Sequence, residues 1–455
     1  MAAAADCRGR RPGDRGSSPA PAGLSSRMGP RRRRASLTAT PMDDRPRNLR
    51  SMLAEAKDLS ELMVDLAYAS VCFGHPELAT EVRALEERMS DLVHDMRAVC
   101  VKAARRPRDA GGMSSVLQVV SAIERIANAA VDIARVVSHR LGIPAELVVS
   151  LSVAEEVSHR AQVAEGSEMA HRPVGALELP VAAGTRIMAI RRGRHWITGV
   201  AGDDVLMPGD ALFMRGSPDS IPRIRELAGD GAWVPPAAPV ESSISDLDRA
   251  ADLLVEMKNL SEVSVDLAYS ALVLNDPGLA AQVRQLEARL DDGHDQLELW
   301  VLRAAAGHAD PAPLRGLLHI SKAAEDLGDQ ACQMVWLVEK GEDVHPILEI
   351  ALGDSDEVVV DYPVAAGAAV EGRSLGELGL NIEPGFTVLT ILRGERYLYR
   401  PRGPAVLQAG DEVIASGPEE GRGAFAALLG WTLERDPESG TDELSPRAGL
   451  LGARA

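Results

Sequence analysis

The stretch Lys57-Asp58-Leu59-Ser60-Glu61-Leu62-Met63-Val64-Asp65-Leu66-Ala67-Tyr68 returns later in the chain as Lys258-Asn259-Leu260-Ser261-Glu262-Val263-Ser264-Val265-Asp266-Leu267-Ala268-Tyr269. Subtracting matched positions gives a displacement of about 201 residues. The same displacement relates Leu85-Glu86-Glu87-Arg88 to Leu286-Glu287-Ala288-Arg289, Glu124 to Glu325, Arg192-Gly193 to Arg393-Gly394, and Gly209-Asp210 to Gly410-Asp411. The chain is a duplication. A period this long exceeds a solenoid unit, so each copy holds a complete domain or a pair of domains, and the copies can pack as pseudo-symmetric halves.

Each copy changes character midway. Over about 49–140, Leu53, Ala56, Leu59, Leu62, Met63, Leu66 and Ala67 recur largely at spacings of three and four, the mark of an amphipathic helix, and 243–341 reads the same way. Breaks at Gly74-His75-Pro76 and Pro107 to Gly112, matched by Asn275-Asp276-Pro277 and Gly307 to Pro313, divide each segment into three helices. Short apolar runs bounded by Gly and Pro follow, such as Ile187-Met188-Ala189-Ile190, Val358-Val359-Val360 and Val388-Leu389-Thr390-Ile391; these read as strands. A helix closes each β-rich part, around Ile221 to Leu227 and Ala424 to Leu429. The expected class is an α+β multidomain chain: a disordered basic tail over 1–47, a three-helix bundle over 48–143, a small α/β domain over 150–229, a linker over 230–242, a second bundle over 243–345, a second α/β domain over 350–430, and a flexible tail over 431–455. Pro235, Pro236 and Pro239 make the linker stiff. Asp436-Pro437-Glu438-Ser439-Gly440 makes the C-terminal tail polar.

Composition bounds the function. A 45% hydrophobic and 25% charged chain is ordinary globular protein, but 3% aromatic content leaves the core to Leu, Val, Ile, Ala and Met. The net charge of -18 argues against a nucleic-acid partner, because such binding starts from a basic face. Residues 1–50 run the other way, with about eight more basic than acidic groups including Arg31 to Arg34, so the body is more acidic than the total. Met1, Met28 and Met42 are alternative starts to that tail. Cys7, Cys72, Cys100 and Cys332 form no CxxC pair and fit a reducing compartment. No stretch approaches 18 consecutive apolar residues, so the chain is expected to lack a membrane span of its own and to be cytoplasmic.

The β-rich half has an order clearest in the second copy: Val358 to Val360, then Gly372-Arg373-Ser374-Leu375 into Leu378-Gly379-Leu380, a strand into Arg393-Gly394, and Val406-Leu407-Gln408-Ala409-Gly410-Asp411 before a last strand and Gly417. This order resembles the TrkA-C domain, the C-terminal half of the regulator of potassium conductance module. The first copy has His171-Arg172-Pro173-Val174 at the Gly-Arg-Ser-Leu position. The helical half is similar to a PhoU-type three-helix repeat, with Glu325-Asp326-Leu327-Gly328-Asp329-Gln330-Ala331 resembling that family's acidic third-helix motif; Asn128 stands opposite Asp329 in the first copy. The resemblance implies two PhoU-like bundles alternating with two TrkA-C-like domains. It also implies a soluble regulatory partner of a membrane transporter or channel for potassium or another cation, held at the inner face of the membrane through that partner. The TrkA-C-like modules are expected to pair with each other or across a homodimer. The nucleotide-binding half that commonly precedes TrkA-C is absent, and Gly421, Gly423 and Ala426 lie too near the chain end to open a βαβ unit.

Three carboxylate pairs share a helical face: Glu61 with Asp65, Glu262 with Asp266, and Glu325 with Asp329. Such pairs can hold a divalent metal, and the PhoU resemblance implies iron- or zinc-type clusters there. Lys57, Lys258 and Lys322 lie three or four residues ahead, which gives the competing reading of an acidic face neutralised by lysines. Arg192 and Arg393 end matched strands; a guanidinium suits an oxyanion, and the TrkA-C resemblance implies a small effector such as a cyclic dinucleotide between modules, against the alternative of surface charge. Tyr68 and Tyr269 read as bundle core, and Gly209-Asp210 and Gly410-Asp411 as tight turns. No HExxH or Walker A loop occurs, and Gly372-Arg373-Ser374-Leu375-Gly376 matches GxSxG without the apolar strand that a nucleophile elbow needs, so no enzyme is expected. The competing function is PhoU-like regulation of phosphate uptake and signalling.

Overall fold

The computed structural model describes residues 48–447 except 153, 232–244, 308–310, 342–343, 395 and 436–441. The basic tail with its alternative starts, most of the proline linker and the last residues of the C-terminal tail lie outside the described residues.

Each repeat opens with three long helices: α1 (Leu49–Phe73), α2 (Pro76–Ala103) and α3 (Pro107–Ser138) in the first. The Asn48 side chain accepts from Ser51 N at 2.9 Å to start α1, and Gly74 in the left-handed region ends it, so Pro76 can open α2. A short helix α4 (Ala145–Leu151) leads to β1 (Val157–Gln162), α5 (Leu179–Ala183), β2 (Thr185–Arg192), β3 (His195–Thr198), β4 (Ala211–Gly216) and α6 (Ile221–Ala228). The second repeat follows the same plan: α7 (Asp246–Leu274), α8 (Pro277–Gly307), α9 (Arg315–Glu339), α10 (Pro346–Leu352), β5 (Glu357–Pro363), α11 (Leu375–Leu378), β6 (Thr387–Arg393), β7 (Arg396–Tyr399), β8 (Glu412–Pro418) and α12 (Arg422–Leu428). Asn275 takes the left-handed position that Gly74 holds in the first copy.

The two four-stranded sheets share one antiparallel order, β1-β4-β2-β3 and β5-β8-β6-β7. Each central strand carries a register shift at the same place, between Ile187 and Ala189 and between Val388 and Thr390. Such a bulge re-aims a side chain. Here Met188 and Leu389 join the helical core, while Ile190 and Ile391 stay in the cores of their own α/β domains. Each sheet is therefore apolar on both faces and seals one flank of its bundle.

The repeats interlock. Helices α3 and α9 pack together along the middle, α4 crosses onto α7, and α10 crosses onto α1. Leu147 and Leu151, and their matches Leu348 and Leu352, are buried there, which explains why the short stretches between bundle and sheet become helices. Residues 431–435 and 442–446 correct the expectation of a flexible tail from 431. Strand β9 (Trp431–Arg435) pairs antiparallel with β10 (Asp442–Pro446), because Trp431, Leu433 and Leu444 find apolar cover on the second sheet domain.

Candidate functional site

The two α/β domains meet each other within the chain around the pseudo-twofold. Gly184, at φ +51°, lies so close to the backbone of Asn381 that a Cβ would sit 1.9 Å from its carbonyl oxygen. The matched Gly385, at φ +86°, makes the reciprocal approach, 2.1 Å to the carbonyl of Pro180. Residue i meets j while j's match meets i's, which is the self-complementary logic of a twofold interface written into one polypeptide. The pairing that the sequence left open between an intramolecular and a homodimeric form is intramolecular here.

Between these domains and α7 lies a cleft of about 940 Å³. Its floor belongs to a polar seam where the sheets rest on α1 and α7. Lys57 Nζ bridges Glu61 at 2.7 Å and donates to the Glu357 carbonyl at 2.9 Å; Lys258 Nζ bridges Glu262 at 2.6 Å and reaches the Glu156 carbonyl at 3.4 Å. Each ammonium also lies 5.3 Å from the ring centre of the other repeat's tyrosine, Lys57 over Tyr269 and Lys258 over Tyr68. The seam is thus crossed symmetrically by both lysines.

Its arginines are not symmetric. Arg215 of β4 binds Glu156 and reaches Asp65 at 3.2 Å, and Arg186 of β2 pairs with Asp356. At the matched positions the second repeat has Ser416 and Thr387. Ser416 Oγ donates to Glu357 Oε1 at 3.1 Å, and no ion pair reaches the Asp266 carboxylate among the described residues. Titration follows that inventory. Burial lifts the Asp65 carboxyl to about 7 although Arg215 opposes it, and burial with Glu61 beside it lifts Asp58 to about 7. Burial, then Glu357 and Glu61, push Asp266 well above the ordinary range. Burial would also raise Glu357, but Arg215, Lys57 and Arg186 hold it below its usual value.

The candidate residues read from the sequence divide accordingly. Glu61, Asp65, Glu262 and Asp266 all lie on this seam, each of the first three with its own cation. Glu325 and Asp329 lie elsewhere, on the outer acidic face of the second bundle, where Lys322 binds Glu325 and Asp326 at 2.8 Å each. Burial and the neighbouring Glu325 raise Asp329, and burial with Asp291 and Asp329 raises Glu287. Among the described residues no three His, Cys, Asp or Glu side chains converge on one point. Arg192 forms two hydrogen bonds with Asp210, at 2.9 and 2.7 Å, and caps the Val205 carbonyl; Arg393 does the same with Asp411 and Val406. Both aspartates are 1% exposed. These arginines lock the turns before β4 and β8, and neither lines the cleft. Arg215, Arg186, Glu156 and Glu357 were not singled out by sequence reasoning; the signal was present, since subtracting the repeat displacement exposes Arg215 against Ser416.

Comparison with known families places this geometry. The TrkA-C domain model matches residues 159–229 and 359–430, and the PhoU domain model matches 53–137 and 254–338. Both are regulatory, non-catalytic families. Among solved structures, PhoU from Pseudomonas aeruginosa is 16% identical at a TM-score of 0.35, covering 64% of this chain and 93% of that one. The GsuK RCK domain is 16% identical at 0.16, covering 62% and 68%, and the GsuK channel bound to NAD is 14% identical at 0.16, covering 69% and 65%. No curated protein matches the chain.

Proposed function

We propose a function from one premise: this chain belongs to the PhoU and TrkA-C domain families and carries each domain twice, in alternation. Its role is regulatory. The finer reading is a regulatory subunit of a membrane transporter or channel for potassium or another cation, held at the inner membrane face by that partner. The supporting observation is the cleft, which is walled by both TrkA-C domains and floored by α7 of the second bundle. An effector there touches sensor and bundle together, so its binding energy can favour one arrangement of the two. Such an effector biases the partner only by the difference in its affinity for those arrangements. Among the described residues no helix is long and apolar enough to cross a membrane, and on this reading the transported ion's path belongs to the partner. The test is purification of the full chain from native membranes, with a cation transporter expected to accompany it. An unchanged transport phenotype in a deletion strain, under both potassium limitation and excess, sinks the reading.

One observation favours a second reading, regulation of phosphate uptake. The outer face of α8 and α9 gathers Glu287, Asp291, Glu325 and Asp329, and burial together with the neighbouring carboxylates raises Glu287, Asp291 and Asp329. That face would serve as the contact for a sensor kinase or a phosphate transporter. Metal analysis of protein purified without a nickel column separates a metal-dependent contact from a purely electrostatic one.

A further inference from the structure

The internal repeat supplies its own template for the cleft. In the first repeat, Asp65 and Glu156 share the guanidinium of Arg215. In the second, the matched acids are Asp266 and Glu357, and the arginine's position is held by Ser416, whose hydroxyl donates to Glu357. Asp266, Glu357 and Ser416 all line the cleft, so the space that an arginine would fill opens into it. Arg215 also lines the cleft, but its bonds are committed to Asp65 and Glu156. Thr387 likewise replaces Arg186, yet there Glu155 is already held by Arg400 at 2.9 Å. The place left without an ion pair among the described residues is therefore the one beside Asp266, on which Arg215 acts only through space while its hydrogen bonds go to Asp65 and Glu156. About two helical turns before Asp266 on α7, Oδ1 of Asn259, another lining residue, is buried without a hydrogen-bond partner among the described residues. A buried acceptor left unpaired is costly, and a donor entering the cleft would satisfy it.

The wider lining carries nine carboxylates against four arginines, which disfavours a polyanion and favours a cation. We propose that the cleft binds one small organic cation whose guanidinium or ammonium group takes the place of the missing arginine, between Asp266 and Glu357. The planar guanidinium suits it best, because two carboxylates flanking a fork of donors is the arrangement that Arg215 already shows. This names the effector class for the regulatory reading above, and on that reading alone depends its consequence for transport.

Calorimetric titration of the purified full chain with agmatine, which carries both a guanidinium and an ammonium group, tests the site apart from any membrane partner. Saturable binding of one agmatine per chain is expected, weakened at least about tenfold by Asp266→Asn, since a charge-assisted hydrogen bond is lost. Ser416→Arg restores the internal arginine and abolishes binding. Asp266→Asn keeps the test decisive if that larger substitution fails to fold. Equal affinity in Asp266→Asn overturns the proposal, and so does equal heat from potassium chloride at matched ionic strength. No saturable agmatine binding, or binding of a cyclic dinucleotide instead, also overturns it. Because no transporter is present, a failure here leaves the co-purification test untouched, and the reverse also holds.

Discussion

The two repeats share a fold to the level of a bulge in one strand, yet they differ in how they treat their acids. In the first, Asp65 has Arg215, and Glu124 has Arg97 at 2.6 Å. In the second, the match of Arg215 is Ser416 and the match of Arg97 is Glu298, while Ser90 and Asn128 become Asp291 and Asp329. At the seam Asp266 lacks the cation that Asp65 has, and on the outer helices Lys322 answers Glu325 and Asp326 while Asp291 and Asp329 have no ion pair among the described residues. Backbone packing constrains both copies alike, because apolar positions and tight turns tolerate little change. Charge at a surface or cleft is free to diverge once a duplicate holds the structure.

The comparison breaks most severely if the two halves cannot meet. In Gly184→Val a β-branched side chain at φ +51° would be driven into the Asn381 carbonyl, and the destabilisation expected is about 4 kcal/mol or more. Gly74→Ala sets the scale, with a similar φ of +61° but nothing within 4 Å of the new Cβ, so it should lose only about 1 kcal/mol. Urea midpoints of the two variants should differ clearly. Near-equal midpoints would mean the TrkA-C pair does not hold the fold together.

Arg215→Ser makes the first repeat imitate the second. It leaves Asp65 buried and Glu156 half-buried without their cation, with an expected loss of about 3 kcal/mol. The sign with pH is specific. A buried carboxyl whose folded pKa is raised, as Asp65's is to about 7, keeps a proton that the unfolded chain releases. Stability on this account therefore falls as pH rises from the ordinary carboxylate range through the folded pKa. Removing Arg215 raises that pKa further, so the variant should lose more at pH 8 than at pH 5. Adding Asp65→Asn should flatten the difference, as read from urea curves at the two pH values.

His159 tests the opposite sign. It is 6% exposed on β1, neither ring nitrogen has a hydrogen-bond partner among the described residues, and burial lowers its pKa to about 4. The unfolded chain takes up a proton near 6.5 that the folded one refuses until about 4, so stability falls as pH drops through that window, by at most about 3 kcal/mol. The second repeat has Val360 at this place. His159→Val should therefore remove much of the loss between pH 6.5 and 4 and change stability little at pH 7.5. A variant whose acid melting tracks the wild type would refute the assignment.

Much of the fold could be read before any coordinates. The spacing of Leu53, Ala56, Leu59 and Met63 announces a helix, and Val358 to Val360 announces a strand, because one face or both must be apolar in any fold that buries them. Helices α4 and α10 escaped, since seven residues give too short a period and their burial depends on the opposite repeat. The tail from Trp431 misled for a related reason: local polarity after Asp436 concealed Leu444, whose partner is Leu433 across a hairpin. The seam was half legible. Glu61, Asp65, Glu262 and Asp266 stood out by spacing, and so did the lysines four residues ahead of Glu61 and Glu262, but the cation of Asp65 is Arg215 on β4, 150 residues away, and only folding brings them together.

Arg192 and Arg393 separate the readings that the sequence left open, and here the two repeats should agree. Each guanidinium grips a nearly inaccessible aspartate, whose other oxygen contacts also include the backbone N–H of Met207 or Gln408 at 2.8 Å. Arg192→Ala and Arg393→Ala should each lower stability by about 2 kcal/mol, because each strands a buried carboxylate beside a partly exposed cation site. Neither should change agmatine affinity by more than about twofold, since neither arginine touches the cleft. A pair of effector ligands would do the reverse, with affinity lost and melting unchanged. Unequal losses from the two substitutions would show that divergence between the repeats reaches beyond the acids of the seam, into the turns that both copies have so far kept.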